Sequence, residues 1–158
     1  MPDMLVNLLA LPSFDSTIET ATAKGVIIRR AQPFEITPVC GFVRQTFGVG
    51  WADEISVGFA NKPVSVYIAT RDHKVIGFGA YECTRKAFFG PTGVVQHERR
   101  NGIGAALLIA CMWGLRESGY VYGIIGGAGP TDFYARVVRA VPIAGSSPGI
   151  YVDGLRAD

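Results

Sequence analysis

The chain has 158 residues, of which 49% are hydrophobic and 18% charged, with a formal net charge of +2. That length and composition suit one domain spanning residues 1–158 with a proper core, and they exclude a disordered chain. The basic residues form no long run, so no nucleic-acid surface is expected.

The three cysteines, Cys40, Cys83 and Cys111, lie in apolar surroundings and show neither metal-ligand nor CxxC spacing. They read as buried free thiols, so no metal site is expected and a reducing, cytoplasmic setting is. The opening MPDMLVNLLALPSF lacks a basic stretch and is interrupted by Asn7 and Pro12. It reads as neither a signal peptide nor a membrane span, and no membrane partner is expected.

In chain order, residues 1–24 read as an N-terminal arm ending in a short helix from Ser16 to Lys24. The first clear strand is Gly25–Arg30, rich in β-branched residues. Ile36, Val39, Cys40, Val43 and Phe47 recur at helical spacing, and Trp51, Ile55 and Phe59 mark a second helix to Ala60. Val64–Thr70 and Val75–Tyr81 flank the polar turn Arg71-Asp-His-Lys74 and predict a hairpin. A strand from Ala87 to Val95 follows. Its Pro91 cannot donate to a ladder and marks an edge, bulge or opening.

Gly102–Glu117 predicts a helix that is apolar nearly all round. A helix with more apolar faces than one sheet can cover makes a homodimer plausible. Tyr120–Ile125 is the next strand and Gly126–Pro130 leads into a helix to Val138. The tail is expected to end in a strand at Ile150–Val152. This order predicts an α/β fold with a mixed, mostly antiparallel central sheet and flanking helices.

The richest segment is Gln96-His-Glu-Arg-Arg-Asn-Gly-Ile-Gly-Ala-Ala-Leu107, where a loop after a strand opens a helix. Free amides and the positive end of the helix dipole attract phosphate there, and Arg99 and Arg100 add charge. Gly102 and Gly104 let the backbone approach an anion closely. No Lys-Ser/Thr pair follows the last glycine, so this is not a Walker A loop. Leu107 stands where a dinucleotide fingerprint has its third glycine. What remains is Arg99-Arg-Asn-Gly-Ile-Gly104.

This pattern, with a strand before it and an apolar helix after it, resembles the cofactor motif Arg/Gln-x-x-Gly-x-Gly/Ala of the GNAT superfamily of acyl-CoA-dependent N-acyltransferases. The element order agrees from about Gly25 onward. The resemblance implies acetyl-CoA as acyl donor. Its pyrophosphate would rest on the segment Arg99, Arg100, Asn101, Gly102, Ile103, Gly104 and Ala105. The backbone of Val94 and Val95 would pair with its pantetheine arm. The Phe-Tyr pair in Asp132-Phe-Tyr-Ala-Arg136 resembles the family's as well, and implies that Tyr134 protonates the departing thiolate. Two departures stand out: Gly126-Gly127 replaces the Asn common at the end of the fifth strand, and Val138-Arg139 replaces the usual Gly after the Tyr helix.

The implied function is acetyl transfer to a primary amine of a small-molecule acceptor, by direct attack in a ternary complex. The proton of the attacking amine needs a base. Glu82, at the end of the third strand, is the leading candidate. Asp53 and Glu54 are alternatives, and all three are also explained as solvated carboxylates. His73 and His97 sit in polar turns. Trp51, Phe88 and Phe89 are candidate walls of an acceptor pocket, and Ser146 and Ser147 lie where the family approaches its acceptor. A catalytically silent acyl-CoA-binding module and a nucleotide-binding protein with an unusual loop remain as alternatives.

Overall fold

The computed structural model describes residues 1–155. Its elements are β1 (Met4–Asn7), α1 (Phe14–Ala23), β2 (Ile27–Arg30), α2 (Ile36–Phe47), α3 (Val49–Ala60), β3 (Val66–Arg71) and β4 (Lys74–Tyr81). They continue with β5 (Phe88–Val94), α4 (Ile103–Glu117), β6 (Tyr122–Ile125), α5 (Thr131–Val138) and β7 (Val141–Pro142). One seven-stranded sheet holds the strands in the order β2-β3-β4-β5-β6-β1-β7. Every neighbouring pair is antiparallel except β5 and β6, which run parallel.

The β3–β4 hairpin forms as expected because Asp72 and His73 both adopt positive φ, 49° and 62°, between the paired residues Arg71 and Lys74. Two left-handed residues match the twist of the flanking strands. The alternation of side chains along β3 then divides the core. Tyr67 and Ala69 join one apolar cluster with Leu107, Leu108 and Met112 of α4, while Val66 and Ile68 join another with Val43 and Ile55 of α2 and α3. A sheet covered on both faces explains why β3 and β4 read as continuous apolar runs.

Residues 1–24 are not an arm. β1 lies inside the sheet between β6 and β7, and Met4, Val6 and Leu8 are at most 1% exposed. The strand has only four residues and a 3-10 turn at Leu8–Ala10 follows it, so its alternation is too short to stand out. The expected strand at Ile150–Val152 is also absent. The partner of β1 at that edge is Val141–Pro142, with Leu5 opposite Val141 and Met4 opposite Pro142.

The helix α4 is covered within the chain by the sheet on one side and by α1 and the Leu8–Ala10 turn on others. Trp113 Nε1 donates to Pro12 O at 2.8 Å across that contact. Its apolar surplus is therefore met in part by the N-terminal segment. No helix of the described residues is long and apolar enough to cross a membrane.

Candidate active site

The site arises where the sheet parts. β5 and β6 pair only at Phe88–Ile124 and Phe89–Ile125. Beyond Phe89 the chain enters Gly90-Pro91, and the β4–β5 register shifts between Gly79 and Tyr81. Pro91 thus lies at the bulge its chemistry requires. β5 continues to Val94 while β6 ends at Ile125, leaving a cleft of about 510 Å³ between them. Thr92, Gly93 and Val94 line it from β5, Gly126, Gly127, Gly129 and Pro130 from the segment after β6, and Arg99, Gly104 and Tyr134 line it as well.

The backbone at the end of β5 assigns different parts to the two valines. Val95 donates its N–H to Ile76 O at 2.9 Å, and its carbonyl accepts from Glu98 N at 3.0 Å. Val95 is therefore committed inside the protein and has no backbone group to offer an arm of a ligand. Backbone groups alternate sides along an antiparallel strand, so Val94 presents its edge to the cleft. There Arg99 Nε donates to Val94 O at 3.1 Å, joining the loop to the strand.

The loop itself turns through two left-handed residues, Arg100 at φ 70° and Gly102 at φ 78°. No side chain caps α4, whose first turn starts with Ala106 N donating to Gly102 O. The amides of Ile103, Gly104 and Ala105 therefore have no intrahelical partner and face the phosphate-attracting end of the dipole. The arrangement is braced from behind. Glu98 accepts from Arg71 at 2.9 and 3.2 Å and from Asn101 Nδ2 at 3.3 Å. Arg71 in turn donates to Lys24 O at 2.7 Å, and Lys24 Nζ donates to Asn101 O at 3.2 Å. The Arg71 guanidinium holds the Glu98 carboxyl below its ordinary pKa. Asn101 thus supports the loop through Glu98, whereas Arg100 is exposed at its outer turn. Lys24, Arg71 and Glu98 converge from three separated segments, and no local motif in the sequence signals them.

Tyr134 lies on α5, 7% exposed, with its ring edge-on to Phe89 at 6.3 Å and to Phe133 at 5.2 Å. It lines the cleft, and burial alone raises the pKa of its phenol. The helix still ends in a left-handed cap, because Arg139 takes φ 56° and donates its N–H to Tyr134 O. Glycine at Gly126 has its own cause. A Cβ there would stand 2.8 Å from Tyr151 Oη and 2.9 Å from the Phe88 ring, so Asn has no room.

A second chamber of about 360 Å³ adjoins the cleft and shares Trp51, Phe89, Pro91 and Gly126 with it. Glu54 enters this chamber from α3 and accepts a hydrogen bond from Thr84 Oγ1, with Ser147 and Tyr151 opposite. Of the three candidate carboxylates only Glu54 reaches the site. Glu82 does not: its backbone is left-handed at φ 58°, which folds the side chain back to accept from Ala87 N, away from the cleft. It lines a separate depression with Arg30 and Glu117. Asp53 pairs with Arg44 at 3.6 Å on the surface. Ser146 is structural, accepting from Asp3 N at 2.9 Å and donating to Ile143 O at 2.7 Å. Phe88, His73 and His97 line neither chamber among the described residues.

The residues present fit an acyl-CoA donor. The cleft brings together the uncapped start of α4 at Gly104, the edge of β5 that no strand covers and the buried phenol of Tyr134.

No family model matches the chain, and no curated protein matches it in sequence. Solved structures do match. A glucosamine N-acetyltransferase region of a fungal multi-domain GH3 β-N-acetylglucosaminidase superposes with a TM-score of 0.72 at 18% identity, over 90% of this chain and 19% of that one. A GCN5-related N-acetyltransferase from Sphaerobacter thermophilus gives 0.67 at 16% identity, over 90% and 48%. A GNAT family acetyltransferase from Brucella melitensis, in complex with acetyl-CoA, gives 0.55 at 20% identity, over 70% and 80%. The chain thus spans under half the length of the first two.

Proposed function

We propose that this chain, whose fold is that of the GNAT acyl-CoA N-acyltransferases, transfers an acetyl group from acetyl-CoA to a primary amine by direct attack in a ternary complex. The observation that carries the reading is the shared wall. Arg99 and Gly104 of the phosphate-attracting loop, the open edge of β5 and Tyr134 line one cleft, and the Glu54 chamber abuts it through Trp51, Phe89, Pro91 and Gly126. Donor and acceptor can therefore be held side by side, and proximity of that kind lowers the barrier by removing translational freedom.

Acetyl-CoA, when bound, supplies an activated acetyl group as a thioester. The amides of Ile103, Gly104 and Ala105, with the free guanidinium nitrogens of Arg99, hold its pyrophosphate. The Val94 edge aligns its arm as an added strand would. Glu54 draws the acceptor's amine into the second chamber and takes its proton as nitrogen bonds to the carbonyl carbon. Tyr134 gives its phenolic proton to the sulfur as the C–S bond breaks. The raised pKa keeps Tyr134 protonated, as a general acid must be. A cysteine-linked route has less support, because burial pushes the Cys83 thiol up to about 11 and Cys111 higher still.

The test is steady-state acetyl transfer across an amine panel, read as thiol release, for the unaltered chain and Tyr134→Phe. Glucosamine belongs on the panel, since the fungal region of like fold is a glucosamine N-acetyltransferase. The reading expects kcat to fall by roughly 10²-fold or more in Tyr134→Phe while acetyl-CoA affinity stays within about twofold. An unchanged kcat removes the acid role, and binding without transfer to any amine turns the reading to a silent acyl-CoA-binding module.

A further inference from the structure

The walls and the charge of the Glu54 chamber restrict what it can hold. Trp51, Phe89 and Tyr151 supply aromatic surface, and Pro91 and Pro148 add to the apolar lining. Trp51 is 40% exposed, yet its ring packs against Phe47 at 5.7 Å and Phe78 at 6.2 Å, so it is held in place. Tyr151 is seated on the glycine pair that follows β6. A Cβ at Gly127, where φ is +52°, would stand 3.1 Å from Tyr151 Cε2, and one at Gly126 would stand 2.8 Å from Tyr151 Oη. Asp3 pins this region: Ile143 N donates to Asp3 O at 2.8 Å, and Gly127 N donates to Asp3 Oδ1 at 2.8 Å. Tyr151 N in turn donates to Pro148 O at 3.1 Å. Gly126-Gly127, the departure from the family's Asn, thus makes room for an aromatic wall.

Glu54 is the one charged side chain among the described residues that line the chamber. Arg85 stands near Tyr151, but it is exposed, with Nη1 3.5 Å from Thr84 O, and it does not line the chamber. Hydroxyls are few: Thr84 Oγ1 donates to Glu54, which leaves those of Ser147 and Tyr151. A single carboxylate among aromatic rings suits one ammonium on an apolar ring, held by charge, ring stacking and cation–π contact. A carboxylate or phosphate on the acceptor would be desolvated near Glu54 with no cation to pair with. A sugar would leave most of its hydroxyls without partners. A second ammonium would find no second carboxylate.

We infer that the acceptor is an arylalkylamine, with one primary amine, one aromatic ring and no anionic group. The inference rests on the reading of the Glu54 chamber as the acceptor site. The ammonium gives one proton to solvent and a second to Glu54 as nitrogen bonds to the thioester carbon. The C–S bond breaks, sulfur takes the proton of Tyr134, and the Glu54 proton returns to Tyr134 through water. The products are the N-acetyl amide, CoA and one proton.

Acetyl transfer by the full chain, read as thiol release, with phenethylamine, phenylalanine, glucosamine and spermidine as acceptors tests this. Phenylalanine differs from phenethylamine only by its carboxylate, and its kcat/KM should be lower by roughly 10²-fold or more. Glucosamine and spermidine should be lower by about tenfold or more. Tyr151→Ala, at a position 54% exposed, should raise KM for phenethylamine by about tenfold with kcat within about twofold. Tyr151→Phe, which keeps the ring, should leave both near those of the unaltered chain. Phenylalanine, glucosamine or spermidine used as well as phenethylamine overturns the arylalkylamine class and leaves acetyl transfer standing. So does a Tyr151→Ala protein that melts normally and keeps its KM. A chain that acetylates no amine overturns both.

Discussion

The two glycines of the phosphate loop have different structural reasons, and exchanging each for alanine separates them. Gly102 sits at φ +78°, and a Cβ there would meet only Lys24 Nζ, at 3.8 Å. No clash arises, so Gly102→Ala carries the left-handed backbone penalty alone, about 1–2 kcal/mol. For a domain of this length each kcal/mol moves the melting midpoint by roughly 2–4 °C, so a drop of roughly 2–8 °C is expected. Gly104 is helical, and its Cβ would lie 3.8 Å from Val94 Cγ2 and 3.9 Å from Phe133 Cζ, ordinary contact distances. Gly104→Ala therefore removes a helix penalty of about 1 kcal/mol and should raise the midpoint by roughly 2–4 °C. The same methyl makes only ordinary contacts beside Val94, and the cofactor motif that this loop resembles admits Ala at that position, so acetyl-CoA binding should stay within about twofold. Calorimetric melting without ligand and titration with acetyl-CoA measure both effects. Gly102→Ala melting with the unaltered chain, or Gly104→Ala binding acetyl-CoA about tenfold or more weakly, would refute the reasoning.

Other substitutions probe the remaining assignments. Glu54→Gln should lower kcat/KM for the amine by roughly 10²-fold while leaving acetyl-CoA binding alone, and Glu82→Gln should leave kcat near that of the unaltered chain; the reverse pattern in the same assay would move the base to Glu82. Gly114→Ala places a Cβ into the ring of Tyr81, which is 2% exposed and accepts from Arg30 Nη1. That overpacking should cost about 1–3 kcal/mol, and a melting midpoint equal to the unaltered chain's would argue against the packing described. Burial also raises the phenol pKa values of Tyr67, to about 12, and of Tyr81 and Tyr134. The unfolded value is about 10, so these phenols stabilise the fold fully below that pH and lose the contribution as pH rises toward about 12. Melting midpoints should therefore fall across that alkaline range in step with tyrosinate absorbance, and a flat profile would contradict the burial.

Much of the fold was legible because its signals are local. The β3–β4 hairpin announces itself by a polar turn between apolar runs, and Pro91 marks the bulge at which the sheet opens. The loop Arg99–Gly104 signals the start of α4 by its glycines together with the strand before it and the apolar helix after it. What escaped depends on contacts between distant segments. β1 is recognisable only by its pairing with Tyr122–Ile125 and Val141–Pro142, more than a hundred residues away. The choice of Glu54 over Glu82 turned on the left-handed backbone at Glu82, which no side-chain pattern encodes. Lys24, Arg71 and Glu98 brace the loop from three elements, so their joint role becomes visible only when the sheet brings their ends together.

The most direct test of the account is the thermal midpoint of the chain with acetyl-CoA, ATP or NAD added at millimolar concentration. At a hundred times its Kd a ligand stabilises the fold by about 2.7 kcal/mol, so acetyl-CoA should raise the midpoint by roughly 5–10 °C while ATP and NAD leave it in place. A midpoint unmoved by acetyl-CoA, or moved equally by ATP, would contradict the claim that the parted sheet between β5 and β6 is built to hold an acyl-CoA.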